Sequence, residues 1–376
     1  MNLKIYLSVL LLFSGGFGFT QSFSTIDQHA TKAPRKISKQ LPGLTEYLIH
    51  DYTTDLEKVR SFYTWIAYNI KYDSAAYTRD RKRINRSNED VLDRRQAVCF
   101  GYATLFKRMC DIANIPCEVV YGYPKNQLSK SVDLTSVNHA WNAIYIDQQW
   151  QLLDITWGSG NDKAQLEYFF LTTPAEMICS HLPADPMWQL LDCPIKPDIF
   201  QKEKGYIKAY LLSAEKCFNY QDSIDAFLKL SHLERNLKDA LNSYQFNPVD
   251  ENKKELGHSY MDQVSILNDL AAGLELTDSI DAIKAIHLRI IAICKLAENY
   301  IALYDHQKEN LAYSHFNYGV ALSKEINQQD DPKLILAEML FHFELAKEIM
   351  ERLPKNVLLD NALMQIEVYI DWVREY

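Results

Sequence analysis

Gln96-Ala97-Val98-Cys99-Phe100-Gly101-Tyr102-Ala103 decides how the first half of this chain is read. From Tyr102 the apolar residues recur at Phe106, Met109 and Ala113, in steps of four, three and four, which is the period of one helix face. Asn114 tolerates a left-handed cap, and Ile115-Pro116 forbids further helix. Cys99 is therefore expected at or near the first turn of a helix. Unpaired N–H groups and the helix dipole favour negative charge there, so a thiol ionises more easily. Taken alone, the octapeptide suits a buried structural thiol better, because free cysteine is among the most buried residues.

The residues downstream reverse that preference. After the Cys99 helix the period changes to two. Cys117 to Tyr123 reads as a strand, and His139 to Ile146 (HAWNAIYI) alternates as a second. Asp147-Gln148-Gln149 is a tight connection, and Trp150 to Ile155 (WQLLDI) is the returning strand of a hairpin. Such a hairpin brings His139 and Asp154 close to opposite each other, where side chains on one face sit only ~5 Å apart. A cysteine, a histidine and an acid that orients the histidine form a thiol acyl-transfer machine. Cys99 is the expected nucleophile, His139 the proton carrier, and Asp154 the group that fixes the imidazole tautomer. The backbone N–H of Cys99 and a second donor would hold the oxyanion, with Gln96, Tyr72 and Trp65 as candidates. Trp141 and Trp157 flank the expected histidine and aspartate; they either belong to the core or line a substrate slot.

The order Cys, His, Asp, set in AVCFGYA, NHAWNAIYI and WQLLDITW, resembles the transglutaminase-like superfamily. The resemblance is to the branch that includes kyphoscoliosis peptidase and the transglutaminase-like domains of cytokinesis proteins. Val59-Arg60 and Trp65-Ile66-Ala67-Tyr68-Asn69-Ile70-Lys71-Tyr72-Asp73 resemble the same branch upstream of the cysteine. It covers roughly residues 42 to 180 and implies an α+β, papain-like core, with the cysteine helix packed on an antiparallel sheet. It also matches Cys99, His139 and Asp154 to the family's triad. One departure is Ala97, where relatives commonly have glycine. Superfamily membership leaves the reaction open, since relatives include crosslinking acyltransferases, proteases, amidases and inactive members. A calcium-activated crosslinker would need acidic metal loops, and the sequence has no such cluster, so neither metal nor cofactor is expected.

Forty-nine acids against 40 bases give a net charge of −9, which argues against a general nucleic-acid binder. The chain of 376 residues is too long for one ordinary core, so two domains are expected. Lys4, the apolar run Ile5 to Phe13, and Ser14-Gly15-Gly16 read as a secretory signal cleaved before Gln21. The run is too short to span a bilayer comfortably, so the expectation is a secreted or periplasmic protein with no stable membrane span. Residues 21 to 39 read as a polar leader. Residues 79 to 95 carry seven bases and four acids, either a solvated face or a basic lip for an acidic polymer. Seven cysteines allow three disulfides and one free thiol, or mostly buried thiols. There is no CxxC, HExxH, GxSxG or phosphate-binding loop.

From about Gly205 the chain changes character. Ile283, Ile286, Ile290, Ile293, Ala297 and Tyr300 form one long helical stripe, and Leu359, Leu363, Ile366, Ile370 and Val373 another. The expectation is a signal peptide (1–20), a transglutaminase-like domain (21–203) and an all-α domain of packed hairpins (204–376) that positions the first or recruits a protein partner. The expected activity is transfer or hydrolysis of a peptide-type amide, on a peptide or protein substrate, through a thioester. The alternative is a binding or scaffold protein that uses the same cleft, without catalysis, for a peptide or glycan.

Overall fold

The computed structural model describes residues 23–75, 87–126, 132–160, 162–274, 279–326 and 331–376. The expected signal segment, and residues 79–86 of the charged run, lie outside the described residues. The helices are α1 (Ser24–Thr31), α2 (Leu41–Ile49), α3 (Asp55–Asn69), α4 (Asn88–Arg94), α5 (Cys99–Ile112), α6 (Ile155–Gly158), α7 (Lys163–Tyr168), α8 (Pro174–Met177) and α9 (Pro197–Phe200). There follow α10 (Lys204–Ser213), α11 (Tyr220–Leu228), α12 (His232–Phe246), α13 (Asp250–Gly273), α14 (Ile280–Ala297), α15 (Asp305–Ser323), α16 (Lys333–Glu351) and α17 (Val357–Glu375). The strands are β1 (Lys71–Tyr72), β2 (Gln96–Ala97), β3 (Cys117–Pro124), β4 (His139–Ile146), β5 (Gln149–Leu153) and β6 (His181–Pro183). β1 and β2 form a small parallel pair, and the other four a sheet ordered β5-β4-β3-β6.

The chain divides into two compact units. The first holds residues up to Cys117 together with 144–149 and 154–170; the second holds 118–143, 150–153 and everything from Leu171.

In the first unit α3 is the central helix. Thr54 and Glu57 close a capping box at its start, and the expected stripe Val59, Phe62, Ile66 and Ile70 is buried. α1 is a correction to the reading of residues 21 to 39 as a leader. Its sequence carries little helical signal of its own, and it is held from outside: Asp27 bonds both Arg60 and Thr64 of α3. The charged run is also corrected at its end. Arg95 is turned inward, its guanidinium 4.6 Å above the Trp65 ring and bonded to Ser38.

In the second unit Tyr123 of β3, Leu182 of β6 and Ile207 of α10 share a core, with Phe246 of α12 packed against it. β3 offers Tyr123, whose hydroxyl accepts from Asn247 at 3.0 Å and Asn252 at 2.9 Å. Glu118 of the same strand pairs with Arg235 at 3.2 Å. Consecutive helices from α12 to α17 pack on one another. The two expected stripes supply their cores: Ile290 and Ala297 in one, Leu359, Ile366, Ile370 and Val373 in the other. Cys193 and Cys217 form a disulfide, while Cys99, Cys110, Cys117, Cys179 and Cys294 are buried and not disulfide-bonded.

Between α15 and α16 two buried histidines meet, His315 Nδ1 lying 2.8 Å from His342 Nδ1. One of these nitrogens must carry a proton and the other a lone pair, so the contact requires that at least one ring be neutral. Burial lowers both pKa values, His315 to about 3, with the other histidine and Lys295 adding to the effect there. Glu338, which also accepts from Tyr318, opposes the shift at His342. Because the folded pKa lies below the unfolded one, the pair's stabilisation is complete above about pH 6.5 and is lost as pH falls from there toward 3. The His315→Gln/His342→Gln variant is expected to lose less Tm than the parent between pH 7 and pH 4. Parallel curves would refute the role of the pair; the difference between them removes the buried carboxylates common to both.

Candidate active site

Cys99 is positioned by the segment before it. α4, capped by Ser87, ends at Arg95, whose φ of 56° turns the chain into β2. There Lys71 N–H donates to Arg95 O and Asp73 N–H to Ala97 O, both at 2.9 Å, with Tyr72 beside Ala97 in register. Val98 is extended and ends this run, so α5 begins on Cys99, which is 7% exposed. Three residues on, Tyr102 donates its hydroxyl to Ile70 O at 2.6 Å, which ties the helix to the end of α3. A Cβ at Gly101 would lie 2.7 Å from the Ala97 methyl. The departure at Ala97 is thus accommodated by a glycine in the first turn of the helix.

Asp154 also belongs to the first unit. It is a correction to the sequence reading: it stands one residue past β5, not within the strand, and caps α6, accepting from Trp157 N–H at 3.1 Å. Trp157 accordingly lies in a helical turn instead of a loop. Asp154 is fully buried, and its own N–H donates to Phe169 O at 3.0 Å. Two tyrosines feel its charge. Burial, followed by Asp154, pushes Tyr63 well up; burial chiefly, with Asp154 adding, raises Tyr102 to about 12. The turn is tight: a Cβ on Gly158 would land 1.8 Å from the Tyr63 hydroxyl, so only glycine fits. The first unit therefore brings Asp154 within electrostatic reach of the helix that Cys99 opens.

His139 lies in the second unit, as the first residue of β4, and is buried. Its ring centroid is 5.8 Å from that of Trp141 and 5.3 Å from that of His181. Trp141 and His181 stand edge to face at 5.0 Å. Sequence reasoning missed His181. It begins β6, in register with Pro124 of β3, and its Nδ1 is 2.8 Å from Ser180 Oγ. No spacing rule points to it, since β6 is three residues long and preceded by irregular chain.

The remaining candidates fall in three environments. Gln96 and Tyr72 are exposed on the β1–β2 pair. Trp65 is fully buried under Arg95, with an indole N–H that makes no hydrogen bond among the described residues. Trp157 packs edge-on against Phe169.

Residues 42–155 match the transglutaminase-like superfamily. The chain carries a transglutaminase-like domain. Human kyphoscoliosis peptidase is 36% identical over 208 residues, covering 51% of this chain and 31% of that protein. Hillarin of Drosophila melanogaster is 28% identical over 197 residues, covering 46% and 23%. Cytokinesis protein 3 of Schizosaccharomyces pombe is 28% identical over 189 residues, covering 47% and 20%. The chain thus spans less than a third of each relative's length. Its α+β core with an antiparallel sheet agrees with the expected fold. Among the described residues no helix is long and apolar enough to cross a membrane.

Proposed function

We propose that this protein is an exported thiol enzyme acting on a peptide-type amide, with Cys99 as nucleophile, His139 as acid–base and Asp154 as its orienting group. The observation that carries the reading is the turn between β4 and β5. Asp147 and Gln148 have φ of 51° and 62°, as in a two-residue hairpin turn of the twisted, mirror-image kind. Counting back from such a turn pairs Ile146 with Gln149 and Trp141 with Asp154. His139 is then two residues from Trp141 on the same face, a diagonal neighbour of Asp154. The sequence reading set the two close to opposite each other, and the turn supports that reading.

The chemistry follows from these roles. Cys99 Sγ gives its proton to the imidazole and attacks the amide carbon. His139 returns the proton to the leaving nitrogen, and the C–N bond breaks to leave a thioester. Water or a second amine then attacks, losing its proton to His139, and the thiol is regenerated. The Cys99 backbone N–H and the Trp65 indole N–H, unpaired among the described residues, are our choice for the oxyanion donors. A disulfide at Cys193–Cys217 supports export, since such bonds persist in oxidising compartments. The division into a catalytic part (21–203) and a helical part (204–376) that recruits a protein partner is part of the same proposal.

Iodoacetamide labelling followed by peptide mapping tests the assignment. Cys99 should react fastest of the five thiols outside the disulfide, and His139→Ala should slow it by about tenfold or more. Equal, slow labelling of Cys99, Cys110, Cys117, Cys179 and Cys294 would refute an activated nucleophile.

A further inference from the structure

Far along the chain from the cysteine segment, the second unit contains a cleft of about 790 Å³. It is bounded by the 3₁₀ turn Pro186–Gln189, α11 and α12. Met187, Phe218, Phe227, Leu230 and Phe246 give it apolar walls, and Asp185 is the buried acid among them. These walls are braced. Cys217 and Phe218 both donate their N–H to Asp192 O, at 3.0 and 2.8 Å, beside the Cys193–Cys217 disulfide. Phe227 stands edge to face with Trp188 at 5.9 Å, and Trp188 does so with Trp150 at 5.5 Å. A cleft so built keeps its shape without an occupant, which lowers the entropic cost of binding.

Asp185 is 2% exposed. One carboxylate oxygen accepts from Met187 N–H at 3.0 Å and the other from Asn242 Nδ2 at 2.7 Å. Both donors are neutral. A second acid, Asp239 of α12, is close enough to interact with it, and burial raises both pKa values. Among the described residues neither acid forms an ion pair with a lysine, arginine or histidine; Lys238, on the cleft wall, offsets Asp185 only weakly. A buried carboxylate among apolar walls is costly without a counter-charge.

We infer that this cleft is a binding site for a small apolar amine, whose ammonium group pairs with Asp185 while its hydrocarbon body fills the space between Phe218, Phe227 and Phe246. The volume lies within the usual range for small-molecule sites, roughly 300–1,000 Å³. A single lysine side chain from a protein would leave most of it empty. The inference is independent of Cys99.

The test uses the full chain and 2-phenylethylamine as the probe, titrated by calorimetry at pH 7.5, with the isosteric alcohol 2-phenylethanol and the side-chain mimic Nα-acetyl-lysine methylamide as comparators. Saturable amine binding is expected, about tenfold or more tighter than that of either comparator. Asp185→Asn keeps a capping oxygen for Met187 N–H and removes the charge; it should weaken amine binding about tenfold or more. Ala226→Trp, which fills the cleft and leaves Asp185 in place, should abolish binding. The Cys99 alkylation rate should match the parent in both variants, which shows that they remain folded. Equal binding of alcohol and amine, equal binding of the lysine mimic, indifference to both substitutions, or no saturation at ~20 mM would each overturn the inference.

Discussion

Cys99→Ala is expected to abolish turnover of an amide substrate, with a loss of at least about 10³-fold. The measurement is ammonia release from a glutaminyl peptide, run with and without a fluorescent amine so that hydrolysis and transfer are both seen. His139→Ala should cost about as much, because the thiol then lacks a proton acceptor. Adding it to Cys99→Ala should cost nothing further, since groups that act as one unit are not additive. Asp154→Asn isolates orientation from structure: asparagine can still accept from Trp157 N–H and cap α6, but it cannot stabilise a charged imidazole. Its turnover should fall while its Tm stays near the parent's. A Cys99→Ala protein retaining a tenth of the parent activity would end the triad proposal.

Arg60→Met is expected to produce the largest loss of stability. Arg60 is fully buried in α3, and its guanidinium meets Asp27 through Nε and Nη2, both at 2.8 Å, and Glu167 through Nη2 at 2.6 Å. The ring centroids of Phe23 and Phe170 each lie 4.8 Å from it. Methionine fills part of the volume but leaves two carboxylates facing an apolar slot. Breaking such a buried pair costs about 3–5 kcal/mol. The lower part of that range applies here, because Glu167 is 44% exposed and can turn to water. The Arg60→Met/Asp27→Asn variant should recover a share of the loss. A stability loss of less than about 1 kcal/mol from denaturant unfolding of the single variant would show that the guanidinium is not the anchor of α1.

What could be read in the sequence, and what could not, follows a physical line. Elements whose own residues carry the pattern were legible. HAWNAIYI runs over the same residues as β4, Asn114 takes the left-handed conformation expected of it with φ of 56°, and the stripe Tyr102, Phe106, Met109 faces inward on α5. Elements that depend on a distant partner were not. α1 answers to Arg60, and β6 exists because β3 offers it an edge. The alternation of WQLLDI carries Asp154 into the returning strand, whereas its capping position depends on the short helix that follows. His181 could not be found at all, because what makes it notable is two rings that lie far from it in sequence. Tyr123 likewise reads as one more strand aromatic until Asn247 and Asn252 converge on its hydroxyl.

The two-residue β1–β2 ladder bears on how this chain tolerates changes in length. By joining Lys71 and Asp73 to Arg95 and Ala97, it closes the intervening stretch at its base like the neck of a purse. Lengthening a closed loop costs little, about 0.6 kcal/mol for each doubling. A change in chain length between Asp73 and Ser87 therefore adds little to the cost of that closure, while α4, β2 and Val98 still lead the chain to Cys99.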